Sequence, residues 1–136
     1  MELVVSFPGG KKIDAEYNGY SISTDQPVQS GGTATAPAPF DLFLASLGTC
    51  AGIYIQGFCQ SRGLSTENMK IIQRMEYNPA KRLIGKIELE IQLPEDFPDK
   101  YKDAVINAAE LCAVKKHLQN PPEFSIFTKV VEESAL

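Results

Sequence analysis

An α+β fold of order βββ–α–ββ–α–β is predicted by three observations. Alternating apolar residues open the chain and recur after residue 69, as they do in half-buried strands. Two other segments repeat their apolar residues every three or four positions, the period of a helix. The strands come in runs and do not alternate one by one with helices, which argues against a parallel α/β sheet.

The elements follow in order. Leu3, Val5 and Phe7 alternate with polar or smaller neighbours before Pro8-Gly9-Gly10 turns the chain. Ile13, Ala15 and Tyr17 alternate again up to Asn18-Gly19, a strong hairpin signal because both residues tolerate positive φ. Tyr20 and Ile22 carry the same face beyond that turn. From Asp25 to Pro39 the composition shifts to Gln, Ser, Gly, Thr, Ala and Pro, which predicts a loop. The first helix should run from near Phe40 to Arg62-Gly63, where glycine supplies the C-terminal cap. Its apolar residues surround the axis, so it is expected to be buried on most sides.

A second hairpin follows. Met69, Ile71, Met75 and Tyr77 share one face of its first arm, and Ile87, Leu89, Ile91 and Leu93 one face of its second. Lys86, Glu88 and Glu90 make the other face wet, and Asn78-Pro79 turns between the arms. Pro94 and Pro98 open the second helix, with Tyr101, Val105, Ala108, Leu111/Cys112 and Leu118 along its stripe and Pro121-Pro122 at its end. Phe124, Ile126, Thr128 and Val130 predict a last strand. No internal repeat appears, and residues 1–136 read as a single domain.

Composition narrows the function. The 136 residues are 43% hydrophobic and 22% charged, ordinary values for a soluble globular protein. A net charge of −4, with Lys and Arg scattered, argues against a nucleic-acid partner, which would call for a basic face. Three cysteines do not make a secreted disulfide framework, and Met1–Phe7 has no basic region ahead of an apolar one. A cytoplasmic protein with reduced thiols is expected, in which any disulfide would be transient or catalytic. The uncharged run from Leu42 to Cys59 approaches the length of a membrane span and contains Gly48-x-x-x-Gly52. Ser46, Thr49, Gln56 and the small residues lower its hydrophobicity, and the flanking strands need it as a core. No membrane partner is expected.

The cysteines are the candidate chemistry. Cys50 and Cys59 are nine residues apart on one helix, which puts them about 13.5 Å apart along the axis and on opposite sides. A disulfide needs Cα atoms within roughly 7 Å, so the intrachain candidate for Cys50 is Cys112. Both lie on inward stripes, so contact is compatible with the sequence. So is a pair of small buried hydrophobes, since free cysteine is among the most buried residue types. Gly48, Thr49, Ala51 and Gly52 leave room beside the Cys50 sulfur for a helix or a small substrate. Cys59 reads as core packing. Cys50, Cys112 and His117 lack the spacing of zinc ligands, so no metal is expected, and His117 reads as a surface residue beside Lys115 and Lys116. Gly9-Gly10 and Gly31-Gly32 lack the Lys and the strand–helix setting of a phosphate loop, and no cofactor is expected.

Two segments carry a family likeness: Pro39-Phe-Asp-Leu-Phe-Leu-Ala-Ser-Leu-Gly-Thr-Cys50 and Cys112-Ala-Val-Lys-Lys-His-Leu118, about 60 residues apart. With the element order, they make the chain resemble the OsmC/Ohr family over nearly its whole length. That resemblance implies an intertwined homodimer, with the two helices central and antiparallel sheets wrapped around them. It implies a stress-response antioxidant enzyme, a thiol peroxidase acting on small apolar organic hydroperoxides. Cys50 would be the peroxidatic cysteine and Cys112 the resolving one, with an external dithiol as reductant.

The sequence departs from the best-described members of the family. They pair the peroxidatic thiolate with an Arg of the amino-terminal sheet, held by a Glu ten residues before the cysteine. Here that Glu position is Phe40, followed by Asp41, and the sheet offers Lys11 or Lys12 in place of the Arg. Lys11, Lys12 and Asp41 are therefore the supporting candidates, without the bidentate fork of an arginine. The departures resemble the less characterised OsmC-like branch. The alternative is a non-catalytic OsmC-like dimer that binds small molecules or senses redox state.

Overall fold

The computed structural model describes residues 1–132. It is an α+β chain with two antiparallel sheets and three helices. Strands β1 (Val4–Gly9), β2 (Lys12–Tyr17) and β3 (Tyr20–Thr24) form the first sheet. Asn18 and Gly19 both take positive φ, 50° and 79°, so Tyr17 pairs directly with Tyr20 across the predicted two-residue turn. The loop after β3 leads into α1 (Pro39–Gln60). The helix closes as expected at Gly63, where φ is +67° and Leu64 N–H reaches the Cys59 carbonyl at 2.9 Å.

Strands β4 (Lys70–Asn78) and β5 (Leu83–Gln92) pair as Ile71↔Ile91, Gln73↔Leu89 and Met75↔Ile87 on the apolar face. Asn78 Oδ1 accepts from the N–H groups of Ala80 and Lys81 and shapes the turn between the strands. Gln73 is the polar residue on that apolar face. Its Nε2 donates to the Leu44 carbonyl of α1 at 2.9 Å, which fastens the sheet to the helix.

Three expectations are corrected. First, the second helix is not continuous. It divides into α2 (Lys102–Glu110) and α3 (Ala113–Gln119), because Leu111 and Cys112 close α2 with short i→i+3 bonds and Cys112 swings to φ −48°, ψ 125°. Second, no strand forms at Phe124–Val130, because among the described residues no strand lies beside it to complete the ladder. Phe124, Ile126 and Val130 are 84%, 95% and 98% exposed. Third, α1 is buried along one stripe only, Leu47–Ala51–Ile55–Cys59, while Phe40 and Ile53 stay exposed.

The core sits where that stripe meets α2: Ile55, Cys59, Phe97 and Val105 pack together, flanked by Phe58, Met69, Ile71 and Ile91. Burial of each large side chain there contributes roughly 1.5–3 kcal/mol. Among the described residues, α1 is the one helix long and apolar enough to cross a membrane, and it carries the stripe on which this core is built. The chain exposes 10887 Å². A compact monomer of its mass exposes about 7,000 Å². The excess lies on apolar surfaces of the first sheet (Val5, Phe7, Tyr20), of α1 and of the C-terminal segment.

Candidate functional site: a thiol pair at a helix start

Cys50 lies midway along α1, half-buried and one residue before the buried Ala51. Cys112 is buried and occupies the N-cap of α3. The break in the second helix therefore has a chemical consequence. The first N–H groups of a helix have no intrahelical acceptor, and they carry the positive end of its dipole. Here the first intrahelical donor is Lys116, bonded to the Cys112 carbonyl at 3.0 Å, so the N–H groups of Ala113, Val114 and Lys115 are free for other partners.

They act on the thiols. The Val114 N–H, then the Cys112 thiol and the Ala113 N–H, hold the Cys50 thiol below its ordinary range, against burial, which raises it. Cys112 moves the opposite way. Burial pushes it up, and so does its donation to Cys50, while the N–H groups of Lys115 and Val114 offset part of the rise. The two sulfurs are thus inequivalent: their surroundings lower the Cys50 thiol and raise that of Cys112. A low-pKa thiolate next to a protonated thiol can attack an electrophilic oxygen or sulfur and then be captured as a disulfide.

The structure brings Cys50 and Cys112 together and leaves the other candidates elsewhere. Cys59 is fully buried in the core, where burial raises its pKa despite nearby Arg62. The Asp41 carboxylate accepts from Ala38 N–H at 3.0 Å and serves as an N-terminal cap of α1. Lys11 lies against the Gly31 turn, and neither it nor Lys12 contributes to holding Cys50. The thiolate is favoured by main-chain N–H groups and the neighbouring thiol, with no cationic side chain taking part. Among the described residues no cluster of three or more His, Cys, Asp or Glu side chains could hold a metal ion.

Two hollows lie along α3, and Cys112 lines one of them. One, of ≈ 530 Å³, is lined by Phe43, Ala113, Val114, His117, Leu118 and Pro121. The other, of ≈ 420 Å³, is lined by Leu47, Ala51, Leu89, Ile106 and Cys112, with the charged Glu110 and Lys115 among its walls. Sequence reasoning missed both the Ala113–Val114 main chain and Gln73. No side-chain pattern signals an N–H group, and the break carries neither Gly nor Pro. Gln73 did leave a signal, since it interrupts an otherwise apolar strand face.

The family profile of the OsmC-like proteins matches residues 31–127, a stretch that contains both cysteines and all three helices. The chain belongs to the OsmC-like family. No curated relative matches it in sequence. Among solved structures, it is similar to a Psychrobacter arcticus protein described as osmotic stress induced and of the detoxification response. That likeness has 22% identity and a TM-score of 0.71 and covers 84% of this chain and 85% of the other. An OsmC-like protein of Mycoplasma pneumoniae gives 15% identity and a TM-score of 0.65, covering 88% and 87%. An organic hydroperoxide resistance protein of Elizabethkingia anophelis gives 15% identity and 0.62 over the same shares. At such identities the likeness is one of fold.

Proposed function

We propose that this OsmC-like protein is a thiol-dependent peroxidase that reduces organic hydroperoxides through Cys50 and Cys112. The observation that carries the reading is the inequivalence of the two thiols. The main-chain N–H groups at the start of α3 lower the Cys50 thiol, while burial and its bond to Cys50 raise that of Cys112. The Cys50 thiolate attacks the terminal peroxide oxygen, the O–O bond breaks, and an alkoxide leaves and becomes the alcohol. Cys50 is then a sulfenic acid, which the Cys112 thiol converts to a disulfide with loss of water. An external dithiol returns both cysteines to thiols by exchange. The mostly apolar hollow lined by Cys112 suits an organic peroxide better than hydrogen peroxide.

The working unit is a homodimer in the cytoplasm. A single chain leaves apolar strand, helix and C-terminal faces open, and its area exceeds that of a compact monomer by about half, following the usual area–mass scaling. A second copy covering these faces would form an interface of the obligate class.

Consumption of cumene hydroperoxide with a dithiol reductant tests the reading. Cys50→Ser abolishes turnover, and Cys112→Ser accumulates a trappable sulfenic acid on Cys50. Disulfide formation without turnover in the wild type would instead favour a redox sensor. No peroxide-dependent change at either cysteine would refute the reading.

A further inference from the structure

We propose that the Glu110–Lys115 ion pair holds Cys112 in place for closing the disulfide with Cys50, so that both charged side chains are positioning residues of the resolving step. The inference rests on the peroxidase reading above and extends it to what keeps the second thiol in reach.

It starts from the way α2 and α3 are joined. The main-chain bonds of α2 end with the Leu111 N–H on the Ala108 carbonyl at 3.1 Å and the Cys112 N–H on the Ala109 carbonyl at 3.4 Å, the second longer than a good bond of this kind. Those of α3 begin with the Lys116 N–H on the Cys112 carbonyl. Among the described residues no main-chain bond runs from α3 back to α2. The polar link between the two helices is Lys115 Nζ donating to the Glu110 carboxylate, a pair that spans Leu111 and Cys112. Glu110, Cys112 and Lys115 also line one hollow, so the pair and the resolving cysteine share a wall.

Each partner sits at the helix end where its charge is least favoured. Glu110 is the last residue of α2, where the dipole prefers a cation, and Lys115 lies in the first turn of α3, where it prefers an anion. Charges placed against the local rule at both ends mark a junction where pairing across the break outweighs the preference of either helix. The Lys115 main-chain N–H also acts on the Cys112 thiol, so one residue is tied both to that thiol and to the end of α2.

The step that this placement serves balances. The Cys112 sulfur bonds to the sulfur of the Cys50 sulfenic acid, the S–O bond breaks, and the hydroxyl leaves with the thiol proton as water. The sulfenic sulfur is reduced and the thiol sulfur oxidised. Closure needs the two sulfurs at about 2.05 Å, so its rate follows the fraction of time that the junction holds Cys112 near that geometry. Without the pair, α3 turns more freely about Leu111 and Cys112, and that fraction falls.

Single-turnover oxidation with cumene hydroperoxide tests this. Mass spectrometry of quenched samples follows the Cys50 sulfenic acid as it decays to the disulfide, a first-order constant independent of how fast the sulfenic acid forms. Glu110→Gln and Lys115→Met should each slow closure roughly three- to fivefold, the upper part of what a half-exposed pair supplies. The exchanged pair, Glu110→Lys with Lys115→Glu, should return to within about twofold of wild type. Sodium chloride at about 0.5 M should slow wild-type closure and leave Lys115→Met unchanged, which reads the pairing without a further variant. Melting curves separate positioning from support: both single substitutions remove a charge that its helix disfavours, so Tm should hold while closure slows. Unchanged closure in the single variants would overturn the proposal. So would slow closure that neither the exchanged pair restores nor salt reproduces, or slowing that merely tracks a fall in Tm. If wild-type Cys50 forms no disulfide with Cys112, the peroxidase reading fails and this inference falls with it.

Discussion

Gly48→Ala tests how β4 is fastened to the helix that carries Cys50. A Cβ at position 48 would lie 2.7 Å from Gln73 Oε1, while Gln73 Nε2 donates to the Leu44 carbonyl at 2.9 Å. The substitution has two opposed effects. In a helix interior alanine is better than glycine by roughly 0.5–1 kcal/mol. Against this, the Gln73 amide must swing away from the new methyl group and give up its bond, at roughly 0.5–1.5 kcal/mol. The Leu44 carbonyl keeps its helical partner, so no acceptor is stranded and the cost falls toward the lower part of that range. The two effects nearly cancel, and Gly48→Ala alone should shift stability by no more than about 0.5 kcal/mol. With Gln73→Ala already in place the clash is gone, and Gly48→Ala should stabilise by about 1 kcal/mol. Urea unfolding of the four proteins, at one fixed protein concentration because self-association shifts apparent stability, gives the coupling directly. An identical effect of Gly48→Ala in both backgrounds would refute the Gln73 contact as a fastening.

Other outcomes follow from the site and its supports. Iodoacetamide should alkylate Cys50 with a midpoint below the ordinary thiol value of about 8.5, and Cys112 and Cys59 only at higher pH. Mass spectrometry across pH reads this, and a Cys50 midpoint at or above that value would contradict the role of the α3 N–H groups. The buried Asp25 accepts from Gln26 N–H and from the N–H and hydroxyl groups of Thr33 and Thr35, so Asp25→Ala should loosen the loop that leads to α1 and lower Tm. Those bonds, the Thr33 hydroxyl first, hold its folded pKa far below the ordinary carboxylate value. The stabilisation is full above about pH 5 and is lost as pH falls below about 3.9, so wild-type and variant melting curves should converge in acid. Curves that stay apart in acid would count against it. In sedimentation, the 14.9 kDa chain should run at twice its mass, and Phe124→Asp with Ile126→Asp should shift it toward monomer. A wild type that sediments at single-chain mass would remove the homodimer from the proposal.

Most of the fold was legible because local rules decide it. The Asn18-Gly19 turn, the Gly63 cap and the β4–β5 register follow from backbone preference and a period of two. The limits of legibility also have causes. The stretch from Phe124 to Val130 has the alternation of a strand, but a strand exists only if a neighbour completes its ladder, and alternation does not say which chain supplies that neighbour. An apolar surface all round α1 does not tell whether one chain or two will cover it.

The sequence by itself determined that Cys50 and Cys112 fall in separate apolar segments, that Cys59 cannot pair with Cys50 along one helix, and that the amino-terminal stretch carries no arginine. These are matters of residue type and spacing. The tertiary structure alone decided what acts on Cys50. The activating groups are main-chain N–H donors, which every residue but proline carries, and they become available only because the helix breaks at Cys112 and restarts pointing at the thiol. Where a backbone dipole points depends on packing, and no side chain announces it.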